Sequence, residues 1–390
     1  MTNKRPFNYI LIITLTLMIG SPVFADQEVK DDDSDLQPVQ GGLTVDTVPD
    51  LRDDDVPLKV QRNKDSSWFA VPIPMSSPTF GTGLILGGAY FYPQSEQQKA
   101  SQPASFTGAA AGYTDNKSYF AGVMQQNYWA EDKWRFNAVA AYADFKLGLI
   151  SPEDGSEGSL LDWLVKGGIY QASISRRLAG RWYFGVIGRY LDITQDLDLT
   201  GDSNDFNPDG AISSPAIGLN LDYDSRDVPT NAYEGRLFNL KTFFADQRQI
   251  ENGSYQSYYA RFRSYHLLAD PLVLAWDVNA CKKSGRIPLW DTCRLNLRGF
   301  PITDYLSKES ISAQVEARWR FYKRWGLVAF AGAGRVDESF GGHGEGETIP
   351  SYGVGLRFMV LKSQRINVRV DYARTDNGGE AWYLGVMEAF

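Results

Sequence analysis

From Trp68 onward, apolar and polar residues alternate in short segments separated by clusters of Gly, Pro, Asn and Asp. Each segment with its turn takes about 20 residues, the spacing of an all-β meander. The alternation is cleanest late in the chain. In 352–358, Tyr352, Val354, Leu356 and Phe358 oppose Gly353, Gly355 and Arg357. In 366–372, Ile366, Val368, Val370 and Tyr372 oppose Asn367, Arg369 and Asp371. In 312–321, Ala313, Val315, Ala317, Trp319 and Phe321 oppose Ser312, Gln314, Glu316, Arg318 and Arg320. A period of two places each set on its own face of a strand.

The pattern predicts strands near 68–74, 81–92, 104–113, 117–128, 134–148, 163–177, 181–196, 214–224, 235–246, 254–266, 271–280, 310–321, 326–336, 351–361, 364–374 and 381–390. Tight connections at 130–132, 178–180, 268–270 and 361–363 alternate with long ones at 149–162, 197–213, 281–309 and 337–350. That is the asymmetry of a transmembrane antiparallel β-barrel, with short periplasmic turns and long extracellular loops. Sixteen strands are expected. Pro72, Pro74 and Pro78 weaken the first, and fourteen strands after an irregular lead would keep the same even parity. A soluble sandwich also alternates. Here, however, the polar faces carry unlike charges and glycines, and the apolar faces end in aromatics, which suits a crowded lumen inside an interfacial girdle.

Composition agrees with a barrel once hydropathy is read correctly. Mean hydropathy is -0.32, with 13% aromatic residues and 37 glycines. Barrel strands average lumen-facing with lipid-facing residues, so a polar mean does not imply solubility. The first 25 residues read as a secretory signal peptide. Lys4 and Arg5 form its positive start, Tyr9 to Ile19 its apolar core and Val23-Phe24-Ala25 its cleavage site. An uncleaved membrane helix is the alternative, for which the apolar run is short. Residues 26–65 hold 12 acidic and 5 basic side chains and read as an acidic flexible periplasmic segment, open to a periplasmic partner. Its Asp clusters lack the EF-hand spacing, so a solvated charge run is favoured over calcium. The barrel domain is then 66–390.

The whole chain carries a formal charge of -8, which gives nucleic-acid binding no support. No cofactor or metal is indicated, since zinc spacing is absent. His266 and His343 are the two histidines, and neither suggests a catalytic residue. The expectation is that the protein is not an enzyme. Cys281 and Cys293 stand 12 positions apart in an exported chain, where a disulfide is the favoured reading and two free thiols the alternative.

After them comes Leu297-Arg298-Gly299-Phe300. Arg298 offers a planar, permanently charged fork, Gly299 permits positive φ, and Phe300 is an apolar wedge. Together with three other motifs, this stretch resembles the bacterial surface antigen family, the barrel domain of the outer-membrane protein assembly and translocation superfamily. The others are Asp224-Ser225-Arg226-Asp227-Val228-Pro229 with Gly235, then Gly353-Val354-Gly355-Leu356-Arg357-Phe358, and Val370-Asp371-Tyr372-Ala373. The resemblance covers most of 66–390. It implies an inward-folded extracellular loop in which Arg298, Gly299 and Phe300 form a lock against lumen acids. Glu316 matches the family's glutamate. Gly332 stands where the family often has Asp, leaving Asp371 as the further acid. Asp224, Arg226, Asp227 and Gly235 would form a periplasmic turn motif.

The last strand, read as Trp382 to Phe390, resembles the family's C-terminal insertion signal at Gly385 and Phe390, although Glu388 stands where an apolar residue is usual. The implied partners are the barrel-assembly machinery during insertion and outer-membrane lipid. A weak seam between the last strand and strand one would let the barrel open laterally. Translocating members carry polypeptide-transport-associated domains before the barrel, and 40 residues between signal peptide and barrel are too few for one. A Gly-x-Ser-x-Gly lipase elbow is also missing. The resemblance implies a role in outer-membrane biogenesis or polypeptide or lipid transport. A passive pore or structural surface protein, and a barrel-embedded hydrolase, are the alternatives.

Overall fold

The computed structural model describes residues 67–77, 80–150, 160–197, 210–250, 253–300, 303–339, 345–362, 365–376 and 379–390. The expected signal peptide, the acidic segment and His343 lie outside them. The strands are β1 (Ser67–Ser77), β2 (Gly81–Phe91), β3 (Phe106–Thr114), β4 (Tyr119–Trp129), β5 (Trp134–Ile150), β6 (Leu160–Ala179), β7 (Trp182–Leu197), β8 (Gly210–Asp224) and β9 (Gly235–Ala245). They continue as β10 (Tyr255–Ala269), β11 (Leu272–Gly285), the two-residue β12 (Cys293–Arg294), β13 (Leu306–Tyr322), β14 (Trp325–Ser339), β15 (Ile349–Leu361), β16 (Ile366–Thr375) and β17 (Glu380–Val386).

Each long strand pairs antiparallel with the next. β12 pairs only with β13 and belongs to the loop between β11 and β13. The remaining sixteen strands form the wall, as the pattern predicts. β17 comes to lie beside β1 and rounds the sheet into a barrel. Among the described residues no ladder joins these two strands.

The seam has a local cause. β1 holds an unbroken register to β2 through both Pro72 and Pro74. Proline has no N–H to give, so a continuous ladder requires both prolines to direct that missing donor away from β2. The prolines therefore do not exclude a strand, and the fourteen-strand alternative falls. They blunt the edge that faces β17 instead.

The outward face is what a lipid-facing surface requires. Val123, Ile217, Leu86, Tyr113, Val354 and Trp319 are at least half exposed. Aromatics gather at the short-turn end, where Trp129 stacks on Phe136, Trp182 meets Tyr223 and Trp325 meets Phe358. Such a girdle fits the membrane–water boundary.

Several strand boundaries differ from the sequence pattern. β5 and β6 reach Ile150 and Leu160, extending into the expected 149–162 loop, because backbone ladders continue past the end of the apolar alternation. β11 runs to Gly285, so Cys281 sits on a strand. β17 stops at Val386, where Met387 takes a φ of 70° and turns the chain inward. One helix was not expected, α1 (Glu96–Ser101) between β2 and β3. Its start is a capping box. The Ser95 Oγ accepts from the Gln98 N–H at 3.2 Å, and the Gln98 side chain accepts from the Ser95 N–H at 2.9 Å.

Candidate functional site in the barrel lumen

The chain between β11 and β13 folds into the barrel. The Cys281–Cys293 disulfide ties its return to β11. It then follows the inner face of β13, where Ser310 donates to the Arg294 carbonyl at 3.1 Å and Gln314 to the Asn296 carbonyl at 3.0 Å. Leu295 and Leu297 lie over the glycines of β14. A Cβ at Gly332 would come 3.0 Å from Leu297 Cδ2, so the residue that departs from the family's Asp makes room for the loop. Phe300 packs edge-on against Tyr305, with ring centres 5.2 Å apart, beside Val336 and Ile349. Gly299 has a φ of 115°, and its N–H donates to the Tyr383 hydroxyl at 2.5 Å. A side chain there would be strained by that backbone conformation.

Arg298 sits among acids from two strands. Its Nη2 meets Glu316 Oε2 at 2.5 Å, its Nη1 meets Asp371 Oδ2 at 3.1 Å, and its Nε donates to Gln314 at 3.2 Å. The guanidinium also lies 3.4 Å from the centre of the Phe330 ring, a cation–π contact. Glu316 and Asp371 are both fully buried. Glu316 takes a second partner in Arg318 at 2.6 Å, and Asp371 takes Arg357 at 2.5 Å and Arg369 at 2.7 Å. Arg357 continues to Glu388 at 2.7 Å. Desolvating any one of these charges costs several kcal/mol, so the cluster is tolerated only as a nearly neutral whole. Asp371 shares the site with Glu316 from β16, while the space over Gly332 is taken by Leu297.

A second attachment has no counterpart in the sequence reading. A single turn of 3-10 helix, Leu289–Asp291, carries Asp291 toward strands on another side of the lumen. Asp291 accepts from Arg189 of β7 at 2.7 Å, Tyr255 of β10 at 2.8 Å and Lys283 of β11 at 2.8 Å. Burial alone would raise the Asp291 carboxyl, but Arg189 and Lys283 overcome it and hold it below the ordinary carboxylate range. The loop is therefore held at two points, Asp291 on β7, β10 and β11 and Arg298 on β13 and β16.

The short-turn end is also filled. Arg226 forks onto Asp224 at 3.0 and 2.8 Å, and Asp227 Oδ1 accepts from the N–H groups of Tyr233 at 3.0 Å and Glu234 at 3.3 Å. Gly235 closes this turn with a φ of 105°. Asp227 also binds Arg365, from the turn between β15 and β16, at 2.6 Å, so a turn from one part of the wall reaches a distant one. Glu388 and Phe390 face inward here. Asn367 donates to Glu388 at 2.6 Å, and the Phe390 ring packs with Ala232, Tyr265 and Ala275. Gly385 remains on β17, opposite Arg369. The inward turn after Val386 gives Glu388 two polar partners, which explains a charge in an otherwise apolar position.

The inner face of β2–β6 is different. Gly87, Ala110, Met124, Val139, Ala141 and Ile169 point inward and remain half-buried, unlike the covered β13–β16 face. Toward the long-loop end the same face is closed by Leu289 and Trp290, which pack with Ile85, Phe120, Leu147 and Trp163. On β10, Ser264 and His266 are 2.8 Å apart. They share the parity opposite inward-facing Tyr265. Among the described residues no carboxylate is bonded to His266, so the pair lacks the orienting acid of a hydrolase. His266 lies within β10.

The fold has clear counterparts. No family model matches the chain, and no curated protein matches it. Among solved structures, it is similar to BamA from Haemophilus ducreyi lacking POTRA domains 1–3, with a TM-score of 0.54 and 13% identity. That match covers 84% of this chain and 69% of the BamA chain. It is also similar to CdiB from Acinetobacter baumannii, with a TM-score of 0.53 and 12% identity over 84% of this chain and 60% of that one. The chain thus shares its barrel fold with these two structures. The chain spans less than two thirds of CdiB.

Proposed function

We propose that the protein resides in the outer membrane, with its short turns in the periplasm, and acts there in envelope biogenesis or transport as a gated barrel. The observation that carries this reading is the inward loop, held at both Arg298 and Asp291 across a lumen whose short-turn end is closed too. A passive pore needs an open, water-filled path. Here strongly paired side chains occupy the path, and the wall has one unladdered seam beside two prolines. Release of the Arg298 lock and parting of β1 from β17 are the two motions this design permits.

The same reading gives roles to the remaining residues. Asp224, Arg226, Asp227 and Gly235 shape the periplasmic turn that meets Arg365. Gly385 and Phe390 belong to the C-terminal segment presented to the barrel-assembly machinery before it folds inward. The test is deletion of the gene in its host followed by complementation with wild type or Arg298→Ala. Loss should change outer-membrane protein or lipid composition, and wild type should restore it where Arg298→Ala does not. Unchanged composition on deletion would return the protein to the structural alternative.

A further inference from the structure

The two ends of the barrel carry opposite charge. At the long-loop end, 151–159 holds three acidic residues, 198–209 four and 340–348 two, and none of these stretches has a lysine or arginine. At the short-turn end most acids are already held. Glu131 pairs with Lys133 at 3.3 Å, Asp132 with Arg135 and Arg177 at 2.5 and 3.2 Å, Asp227 with Arg365 at 2.6 Å and Asp270 with Arg320 at 3.7 Å. Arg181, Arg236, Lys323 and Arg324 stand at the same rim, and among the described residues none of them pairs with a carboxylate. Arg236 and Lys323 are exposed, and Arg181 and Arg324 half-buried. Arg181 and Arg236 meet at one turn, where Arg181 Nη1 donates to the Ser225 carbonyl at 3.0 Å and the Arg236 N–H donates to Ser225 Oγ at 2.9 Å. Lys323 and Arg324 form the turn between β13 and β14. Glu96 and Glu234 are the other acids in the connections at this end, and Lys99 and Lys362 the other cations. An excess of exposed cations at one rim attracts a polyanion.

The chain itself supplies a polyanion beside this rim. Residues 26–55 hold 11 acidic and 2 basic side chains, with runs at Asp31-Asp32-Asp33 and Asp53-Asp54-Asp55. They lead into β1 at Ser67, which pairs with Phe91 and so, through Phe106 and Gln126, lies at the end of the wall that carries the 130–133 turn. From Asp55 to Ser67 a chain can extend about 40 Å. That exceeds the roughly 30 Å width of a sixteen-strand barrel, so both acidic runs can reach any point of the rim.

We propose that residues 26–55 dock on the short-turn rim of their own barrel, with the acidic runs held against the Arg181–Arg236 and Lys323–Arg324 pairs. The occupant is a segment of the same chain because its charge complements this rim, it joins the wall at this end, and the acidic loops at the other end repel it. Exposed ion pairs are individually weak and screened by salt, so the segment is held by their number. The proposal goes beyond the transport reading and does not depend on what the barrel transports.

The full protein is isolated from membranes in a neutral detergent with a photoreactive side chain in place of Leu51. Cross-links are mapped by mass spectrometry at about 0.05 M and about 0.5 M salt. At low salt, links should fall on peptides carrying 181, 236 or 323–324 about fivefold or more in excess of peptides from the long-loop end, and high salt should remove that excess. Asp53→Asn with Asp54→Asn and Asp55→Asn should lose it at low salt. That variant changes no residue of the barrel, so folding of the wall does not confound it. Lys323→Glu with Arg324→Glu should remove the links at that turn. An even spread of links over both ends overturns the proposal. So do links that neither salt nor the aspartate variant changes, and links found only between copies when isotope-labelled and unlabelled protein are mixed. The readout involves no transport assay, so its failure is separate from a failure of envelope complementation.

Discussion

The two halves of this barrel solve the problem of a lumen in opposite ways. No charged residue occurs in β1, β2, β3 or β4. Their inner faces are lined mostly by small and apolar side chains, with Thr114 and Gln126 as buried polar residues among them, and their outer faces by Leu84, Leu86, Tyr113 and Val123. β13, β15 and β16, by contrast, direct Glu316, Arg318, Arg357, Arg369 and Asp371 inward, where Arg298 of the folded-back loop pairs with the two acids and Glu388 with Arg357. One half is dense, charged and covered. The other is apolar and partly open. The loop belongs energetically to the charged half, and a substrate path fits the open half.

If that contrast is correct, substitutions in the charged half should be far more damaging. Arg298→Ala leaves Glu316 and Asp371 each short of a partner in a buried site, and should lower unfolding free energy by about 3–5 kcal/mol. Urea unfolding with heat-modifiable mobility as the folding readout measures this. Cys281→Ser with Cys293→Ser opens a short covalent loop and should cost about 3 kcal/mol in the same assay under oxidising conditions. Met124→Ala, on the open wall, removes a half-buried side chain and should cost about 1 kcal/mol or less. Equal losses for Arg298→Ala and Met124→Ala would dissolve the contrast.

A smaller effect concerns pH. Burial pushes the Asp304 carboxyl, in the inward loop, up to about 7. An acid whose pKa is higher folded than unfolded binds its proton more tightly in the folded state. The resulting stabilisation is fully present below the ordinary carboxylate pKa and is lost as pH rises through about 7. Loop protection against proteolysis should therefore fall between pH 6 and pH 8. Asp304→Asn should flatten that dependence, and an unchanged profile in the variant would assign it elsewhere.

The same contrast explains what the sequence disclosed. Alternation was plain in β13, β15 and β16 because a charged lumen face opposes a lipid face. It faded in β2 and β3 because glycine and alanine inside leave both faces without polar marks. Arg298 and Glu316 were legible because their motifs are local and ordered. Asp291 was not, since its partners Arg189, Tyr255 and Lys283 come from three strands and no short pattern joins them. The Asp227–Arg365 pair spans 138 positions for the same reason. The C-terminal segment was read as strand to Phe390, although Glu388 was the residue that pointed inward.

Conductance in a planar bilayer, wild type against Arg298→Ala, reaches the centre of this account most directly. Wild type should be nearly closed, and Arg298→Ala should open severalfold more often or more widely while keeping folded, heat-modifiable mobility. Identical conductance and gating in the two folded proteins would mean that Arg298 does not hold the loop across the lumen.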